Sequence, residues 1–397
     1  MKHLSRLLAL CLLLCMAFSA AAESEITIPE IPMKEFEIPE NDALAFVADM
    51  KAGFSLGNTM DAFDCTWLSD PMDYEKGWVG IRTTEEMIQA FCDAGFRTMR
   101  LPVSWHNHVT PVEENGVITD WVIDDAWLDR VEEILSWAKD RGMYMILNIH
   151  HDDSPDYYYP DSDHLENSTR YMRSIWTQLA TRFASWDDHL IFEGINEPRL
   201  KGTDHEWYWD PNDASCQDSM ACICALNQVF VDTVRACGGE NETRYLMVPS
   251  YAANAGYACV SAFTLPEDTA DNRVIVSVHA YTPYDFALNT SGTDVFDLNN
   301  MNQKSEIGSF MNTLYETWVS KGIPVVIDEF GAVDKHNLQS RVDFTAYYVT
   351  SARARGMTTC WWDNHAYVSG ECFGLLDREK LTWVYPEIVE AIMRCCE

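Results

Sequence analysis

The stretch Ile191–Arg199 reads IFEGINEPR, an apolar run that ends on a carboxylate. Ile191, Phe192, Gly194 and Ile195 have the character of a buried strand, Asn196 and Glu197 stand at its carboxyl end, and Pro198 stops it, because proline cannot donate to a sheet ladder. A second run, PVVIDEFGA from Pro324 to Ala332, is built the same way, with Val325, Val326 and Ile327 leading to Glu329 and then Gly331. Two glutamates at two strand ends predict a carboxylate pair.

Outward from these runs, short apolar segments alternate with amphipathic ones. The other apolar segments are Gly53–Asn58, Thr98–Val103, Met143–His150, Tyr245–Ser250, Val274–Tyr281 and Met357–Trp362, which makes eight in all. Between them, Trp127, Leu128, Val131, Ile134, Leu135 and Ala138 recur at helical spacing before Gly142. Thr83 and Glu86 form a capping-box pattern ahead of Met87, Ile88 and Phe91, with Gly95 as the stop. Similar stripes cover Met172–Phe183, Leu226–Val234, Ile307–Trp318 and Val342–Ala352, while the segment after the fifth run carries the weakest helical signal. Eight continuous apolar strands alternating with helices predict a single-domain α/β fold, a (β/α)8 barrel, over an open doubly wound sheet. No G-x-G-x-x-G follows an early strand to support a nucleotide site.

With 397 residues and 47% hydrophobic content, the chain is long enough for one such barrel. Its formal net charge of -34 disfavours nucleic acid and anionic membrane surfaces as partners, whereas a neutral polymer meets no such repulsion. Lys2 and Arg6, the apolar run Leu7–Phe18 and Ala20, Ala21 and Ala22 read as a secretory signal over residues 1–22. That predicts an exported, extracellular protein with no membrane attachment after cleavage. A Pro- and Glu-rich, loosely ordered lead-in is expected over 23–45, and the catalytic domain over 46–397. Of 13 cysteines, Cys11 and Cys15 lie in the signal, leaving an odd 11, so at least one is unpaired within a monomer. Cys92 and Cys360 read as buried thiols; Cys216, Cys222 and Cys224 fall in a polar insertion suited to a local disulfide or a metal cluster.

In a barrel of this kind the chemistry gathers at the carboxyl ends of the strands. The polar residues there are Asn58, Arg100, His150, Asn196, Glu197, His279, Tyr281, Glu329 and Trp362, with His151 beside them. Taken singly, Arg100 reads as an ion-pair partner and the histidines as satisfied core residues. Buried glutamates are costly without a partner, so Glu197 and Glu329 carry the functional weight. Glu193, in mid-strand, reads as a structural group pointing into the barrel.

From about Phe46 onward the chain resembles glycoside hydrolase family 5, most closely its subfamily 4 of endo-β-1,4-glucanases and xyloglucanases. The motifs that carry the likeness are SLGNTMDA (Ser55–Ala62), RLPVSWHNH (Arg100–His108), ILNIHHD (Ile146–Asp152), IFEGINEPR, HAYTPYDFALN (His279–Asn289), IDEFGA (Ile327–Ala332) and CWWDN (Cys360–Asn364). The resemblance implies that Glu197 is the acid/base and Glu329 the nucleophile. It further implies that Arg100, His150, Asn196, His279, Tyr281 and Trp362 surround the reacting sugar, with no cofactor. The chain departs from the family pattern at Phe54–Ser55, where Trp-Asn is usual, and at Asp328 and His365, where Gly is usual. Strand alternation is expected to turn Asp328 away from Glu329.

The chemistry that such a pair must perform is cleavage of a glycosidic bond, with one acid protonating the departing oxygen and one carboxylate meeting the developing positive charge. Arg100 and Tyr281 are expected to hold Glu329 ionised, while burial and the charge of Glu329 raise Glu197. Carboxyls on strands four and seven are expected at about 5 to 5.5 Å, the separation for retention. Of the loop aromatics Trp67, Trp78, Tyr157, Tyr158, Tyr159, Trp207, Trp209 and Tyr284, roughly half are expected to be packing and the rest a surface for sugar rings. The expected partner is a β-glucan, and the expected state a monomer. Two other classes share the barrel: a metal-dependent hydrolase built on His106, His108, His150, His151, Asp152 and Asp153, and a non-catalytic glycan-binding barrel. In the first, His150 and His151 face opposite sides unless the strand has already ended.

Overall fold

The computed structural model describes residues 26–397; the signal segment lies outside them. The eight apolar runs become β1 (Ala52–Leu56), β2 (Thr98–Leu101), β5 (Tyr144–Asn148), β6 (Leu190–Glu193), β7 (Leu246–Asn254), β8 (Val274–His279), β9 (Val325–Phe330) and β10 (Thr358–Asp363). They close in the order β1-β10-β9-β8-β7-β6-β5-β2, every pair parallel. The two remaining numbers belong to a hairpin, β3 (Val109–Glu114) and β4 (Val117–Ile123), which packs against the helix Leu165–Arg182 through Arg170, Ser174 and Gln178. Asn115 and Gly116 form its turn at φ +54° and +79°, the left-handed pair that a tight hairpin requires.

The helices are α1 (Asp42–Asp49), α2 (Glu85–Asp93), α3 (Asp125–Lys139), α4 (Leu165–Arg182), α5 (Ala214–Ala236), α6 (Tyr284–Ala287), α7 (Met301–Thr317), α8 (Leu338–Ala354) and α9 (Pro386–Cys395). In α3, Asp124 caps the Ala126 N–H and the whole apolar stripe from Trp127 to Ala138 is buried. Burying each of its larger aliphatic side chains contributes roughly 1.5–3 kcal/mol. The cap of α2 falls one residue later than the sequence pattern suggests, at Thr84, because the Thr83 N–H is taken by Glu75 Oε1 at 2.7 Å. Cys216, Cys222 and Cys224 do not lie in an insertion: they occupy the first turns of α5, and all 11 cysteines of the described residues are free thiols. No α-helix follows β7, only a 3-10 turn at Tyr257–Cys259, and the following TLPEDTADN segment, with Pro266, lacks a helical stripe.

The barrel floor is apolar: Ile146, Ile191, Met247, Ile275, Val326 and Cys360 meet Ala43, Val47 and Met50 of the α1 region, which plugs the bottom. A boundary at residue 46 therefore cuts through a structural helix. The preceding segment is not loose either. Thr27 exchanges two hydrogen bonds with Gln339, the Tyr315 hydroxyl donates to the Glu37 carbonyl at 2.7 Å, and Arg355 lies 4.3 Å over the Phe36 ring. Gly53 is required inside the barrel, since a Cβ there would stand 2.4 Å from Cys360 Sγ. Above this floor the interior turns polar, and that change of layer positions the site.

Candidate active site

Arg100, wholly buried, rises from β2 into the centre of the barrel. Its Nε and Nη2 donate to the two carboxylate oxygens of Glu193 at 2.7 and 2.8 Å, so the mid-strand glutamate is a clamp for the arginine. The same guanidinium donates through Nη1 to Glu329 Oε1 at 2.6 Å and through Nη2 to Asn196 Oδ1 at 2.7 Å. With its carbonyl engaged, Asn196 keeps its NH2 group to donate elsewhere. The Tyr281 hydroxyl donates to Glu329 Oε2 at 3.0 Å. His279 Nδ1 lies 2.8 Å from Glu197 Oε1 and 3.5 Å from Glu329 Oε2. Oxygens of Glu197 and Glu329 stand within 4.8 Å of each other.

A cavity of about 930 Å³ opens above these groups. Glu197, Glu329, His150, His151, Asn196, His279, Tyr281 and Trp362 line it, while Arg100 lies just beneath. Asn58 does not line it: at φ +60° it makes the turn after β1, and its N–H donates to Asp61. Trp362 rests on Gly57 and lies parallel to the His150 ring at 5.9 Å, whereas Trp361 points outward against Phe330. Alternation along β10 thus separates the two tryptophans as expected. Of the loop aromatics, Trp67, Trp78, Trp207 and Tyr284 are exposed, while Tyr158, Tyr159 and Trp209 are buried packing. Trp207 and Tyr284 line the cavity, the former stacked on the Arg199 guanidinium at 4.2 Å.

Asp328 does not turn away. Pairing of β9 slips on both sides, with Val278 opposite Ile327 but His279 opposite Glu329, and Trp361 opposite Phe330. This bulge places two consecutive side chains, Asp328 and Glu329, inside the barrel. Asp328 is fully buried, accepts from Ser277 Oγ at 2.9 Å and from the Val278 N–H at 3.0 Å, and stands 3.4 Å from Arg100 Nε. His365, the other departure, sits at φ +57°, a left-handed position that glycine adopts freely.

The electrostatics also differ from expectation. Burial raises Glu197, but the hydrogen bond and charge of His279, with help from Arg199, outweigh it and leave the carboxyl below its ordinary value. For Glu329 burial wins over the charges of His279 and Arg100, and the nearby Glu197 anion adds to it, so this carboxyl stands above its ordinary value. The ordering reverses the expected one because the imidazole commits its Nδ1–H to Glu197. Burial opposes a charged His279, yet the anions of Glu329 and Asp328 hold its ring well above the usual range. His150 is driven well below that range, and His151 down to about 3, chiefly by burial. Both are therefore neutral positioning groups.

The metal-hydrolase grouping is rearranged as well. The strand ends at Asn148, so His150 and His151 both reach the cavity, where ligand atoms of these two and of Asp61 come within 4.8 Å of one another. His108 instead stacks on Trp127 at 3.6 Å in a buried position, and His106 leans on Asp152 at 3.4 Å. Among the described residues neither belongs to a group of three or more converging ligand atoms. Asp61 stands in the SLGNTMDA motif without a metal-ligand spacing to single it out; its carboxylate closes the turn after β1 by accepting from the Asn58 and Thr59 N–H groups.

Two opposed carboxyls at the mouth of an eight-stranded parallel barrel, one on an arginine and a tyrosine and the other on a histidine, define a barrel glycoside hydrolase. The family model for cellulases, glycosyl hydrolase family 5, matches residues 59–368, and the chain belongs to that family. It is 38% identical over 384 residues to Endoglucanase B of Ruminococcus albus, covering 95% of this chain and 86% of that one. A solved glycoside hydrolase 5 lichenase from a Caldicellulosiruptor species, bound to cellotetraose, shares 52% identity at a TM-score of 0.91 over 94% of this chain and all of that one. A GH5-4 broad specificity endoglucanase from Ruminococcus champanellensis with bound cellotriose shares 41% identity at 0.82, over 90% of this chain and 100% of that one.

Proposed function

We propose that this chain cleaves β-1,4-glucan at internal bonds by double displacement, accepts mixed-linkage glucan or xyloglucan, and works as an exported monomer. The relatives that it matches along nearly its whole length are endoglucanases, one of them described as of broad specificity, and they support endo-β-1,4-glucan hydrolysis as the activity of this enzyme. The observation that carries the mechanism is the carboxyl pair: one oxygen of each stands within 4.8 Å of one oxygen of the other, a closeness that suits the roughly 5–5.5 Å spacing of retaining enzymes better than the roughly 6.5–9.5 Å that an inverting enzyme needs for an intervening water.

In the first step Glu197 gives its proton to the glycosidic oxygen as Glu329 attacks the anomeric carbon, forming a glycosyl ester and releasing the leaving chain. In the second, Glu197 takes a proton from water, which displaces Glu329 and restores both carboxyls. Arg100 and Tyr281 supply donors to the nucleophile, and they take up its charge again when the ester breaks. Asn196 is placed to bond a sugar hydroxyl, and Trp362 gives the ring a flat wall. Exposed Trp207 and Tyr284 on the cavity rim suit a chain that continues past the cut site. Export is supported by the basic, apolar and small-residue pattern of residues 1–22. On soluble β-glucan, viscosity should fall well before reducing ends accumulate. Release of only glucose or cellobiose with viscosity preserved would contradict internal cleavage.

A further inference from the structure

His279 is gripped at both ring nitrogens, and the two grips favour different protonation states. Nδ1 faces Glu197 at 2.8 Å and Glu329 at 3.5 Å, so it carries a proton toward carboxylate oxygen. Nε2 lies between a cation and an anion: Arg100 Nη2 at 3.4 Å and Asp328 Oδ2 at 3.6 Å. Nη2 spends its two hydrogens on Glu193 and Asn196, so the guanidinium brings only its charge to Nε2, and by itself that charge disfavours a proton there and a neutral ring would result. A carboxylate on the same side reverses that preference, because a second ring proton then meets an opposing charge 3.6 Å away. Asp328 is present there only through the bulge in β9, and it is locked in place by Ser277 Oγ and the Val278 N–H.

We propose that Asp328 is a positioning residue that keeps His279 a doubly protonated imidazolium, so that the Nδ1–H stays committed to Glu197 and fixes the orientation of that carboxyl. The other charged and titratable groups around the ring do not replace it. Glu329 is engaged by Arg100 and Tyr281 and faces Nδ1, while a Glu193 oxygen also comes within 4.8 Å of a ring nitrogen and of Asp328 but is paired through both its oxygens with Arg100, which leaves Asp328 as the carboxylate beside Nε2 without such a two-fold pairing. His150 and His151 are held neutral by burial, and Arg199 stands beyond Glu197, 3.9 Å from its Oε2. Burial alone would discharge the ring, and the anions of Glu329 and Asp328 oppose it.

The inference rests on Glu197 as the acid/base, but its test reads the ring directly. Full-chain protein carrying ¹⁵N-labelled histidine, with His279 assigned through His279→Gln, should show both ring nitrogens protonated across about pH 5 to 8. In Asp328→Asn, which keeps the shape and loses the charge, the His279 midpoint should fall by about 1 to 3 pH units, the usual reach of one close opposite charge. Ser277→Ala, which removes a neutral hydrogen bond to Asp328 but leaves the carboxylate and its Val278 N–H contact, should lower the midpoint by less than Asp328→Asn does. A wild-type ring with bare Nε2, an unmoved midpoint in Asp328→Asn, or an equal loss in Ser277→Ala would overturn the proposal. If Asp328→Asn does not fold, Asp328→Ser takes its place, with the same fall of the midpoint expected and an unmoved midpoint overturning the proposal. An error in the acid/base assignment would appear instead in the aryl-glycoside kinetics of Glu197→Ala, leaving the ring spectra unchanged.

Discussion

The Nδ1 of His279 lies 2.8 Å from the Oε1 of Glu197, closer than it lies to Glu329, and this asymmetry orders the titration of the catalytic pair. Because Glu197 is lowered and Glu329 raised in the open cavity, the reactive form, with the proton on Glu197, is the minor arrangement of a singly protonated pair. Below the Glu197 value both carboxyls are protonated and the nucleophile is lost. Above the Glu329 value both are ionised and the acid is lost. The profile of kcat/KM against pH should therefore be a bell with its maximum in the acidic range, the rising limb set by Glu197 and the falling limb by Glu329. A plateau extending unbroken through the alkaline range would contradict this ordering.

The two carboxyls should separate in their mutants. Glu197→Ala should lower polymer hydrolysis by about 10² to 10⁴ or more while sparing the first step on an aryl glycoside whose leaving group needs no proton. Glu329→Ala should be inactive on both substrates. Normal turnover of the aryl glycoside by Glu329→Ala alongside failure of Glu197→Ala would reverse the roles.

Arg100→Lys tests the clamp. A single ammonium cannot satisfy Glu193, Asn196 and Glu329 together, whereas the guanidinium fork reaches all three. Leaving a buried carboxylate without its partner costs about 3–5 kcal/mol, so both melting temperature and kcat should drop. Wild-type kcat in a folded Arg100→Lys variant would show that the fork is not needed.

The barrel was readable because parallel strands covered on both faces are written as unbroken apolar runs, and all eight runs became strands. The carboxyl pair followed from where two of those runs end. What was not readable depends on pairing between strands. The bulge that brings Asp328 inside beside Glu329 is a register slip against β8 and β10, invisible in β9 alone. His151 reaches the cavity because β5 stops at Asn148, a boundary that the apolar pattern of Ile149 conceals. Other misses had a signal. Asn115-Gly116 marks the hairpin, and Ile26, Ile28, Phe36 and Ile38 recur through the Pro- and Glu-rich lead-in that packs on α7 and α8.

The most direct measurement is the anomeric configuration of the first product. In the proposed mechanism, one oxygen of Glu329 within 4.8 Å of one of Glu197 leaves room for the sugar carbon but not for a water between the carboxyls, so hydrolysis passes through a glycosyl ester and two inversions. Proton NMR of β-1,4-glucan hydrolysis, read before mutarotation, should show the β-anomer forming first. Initial accumulation of the α-anomer would contradict double displacement through Glu329.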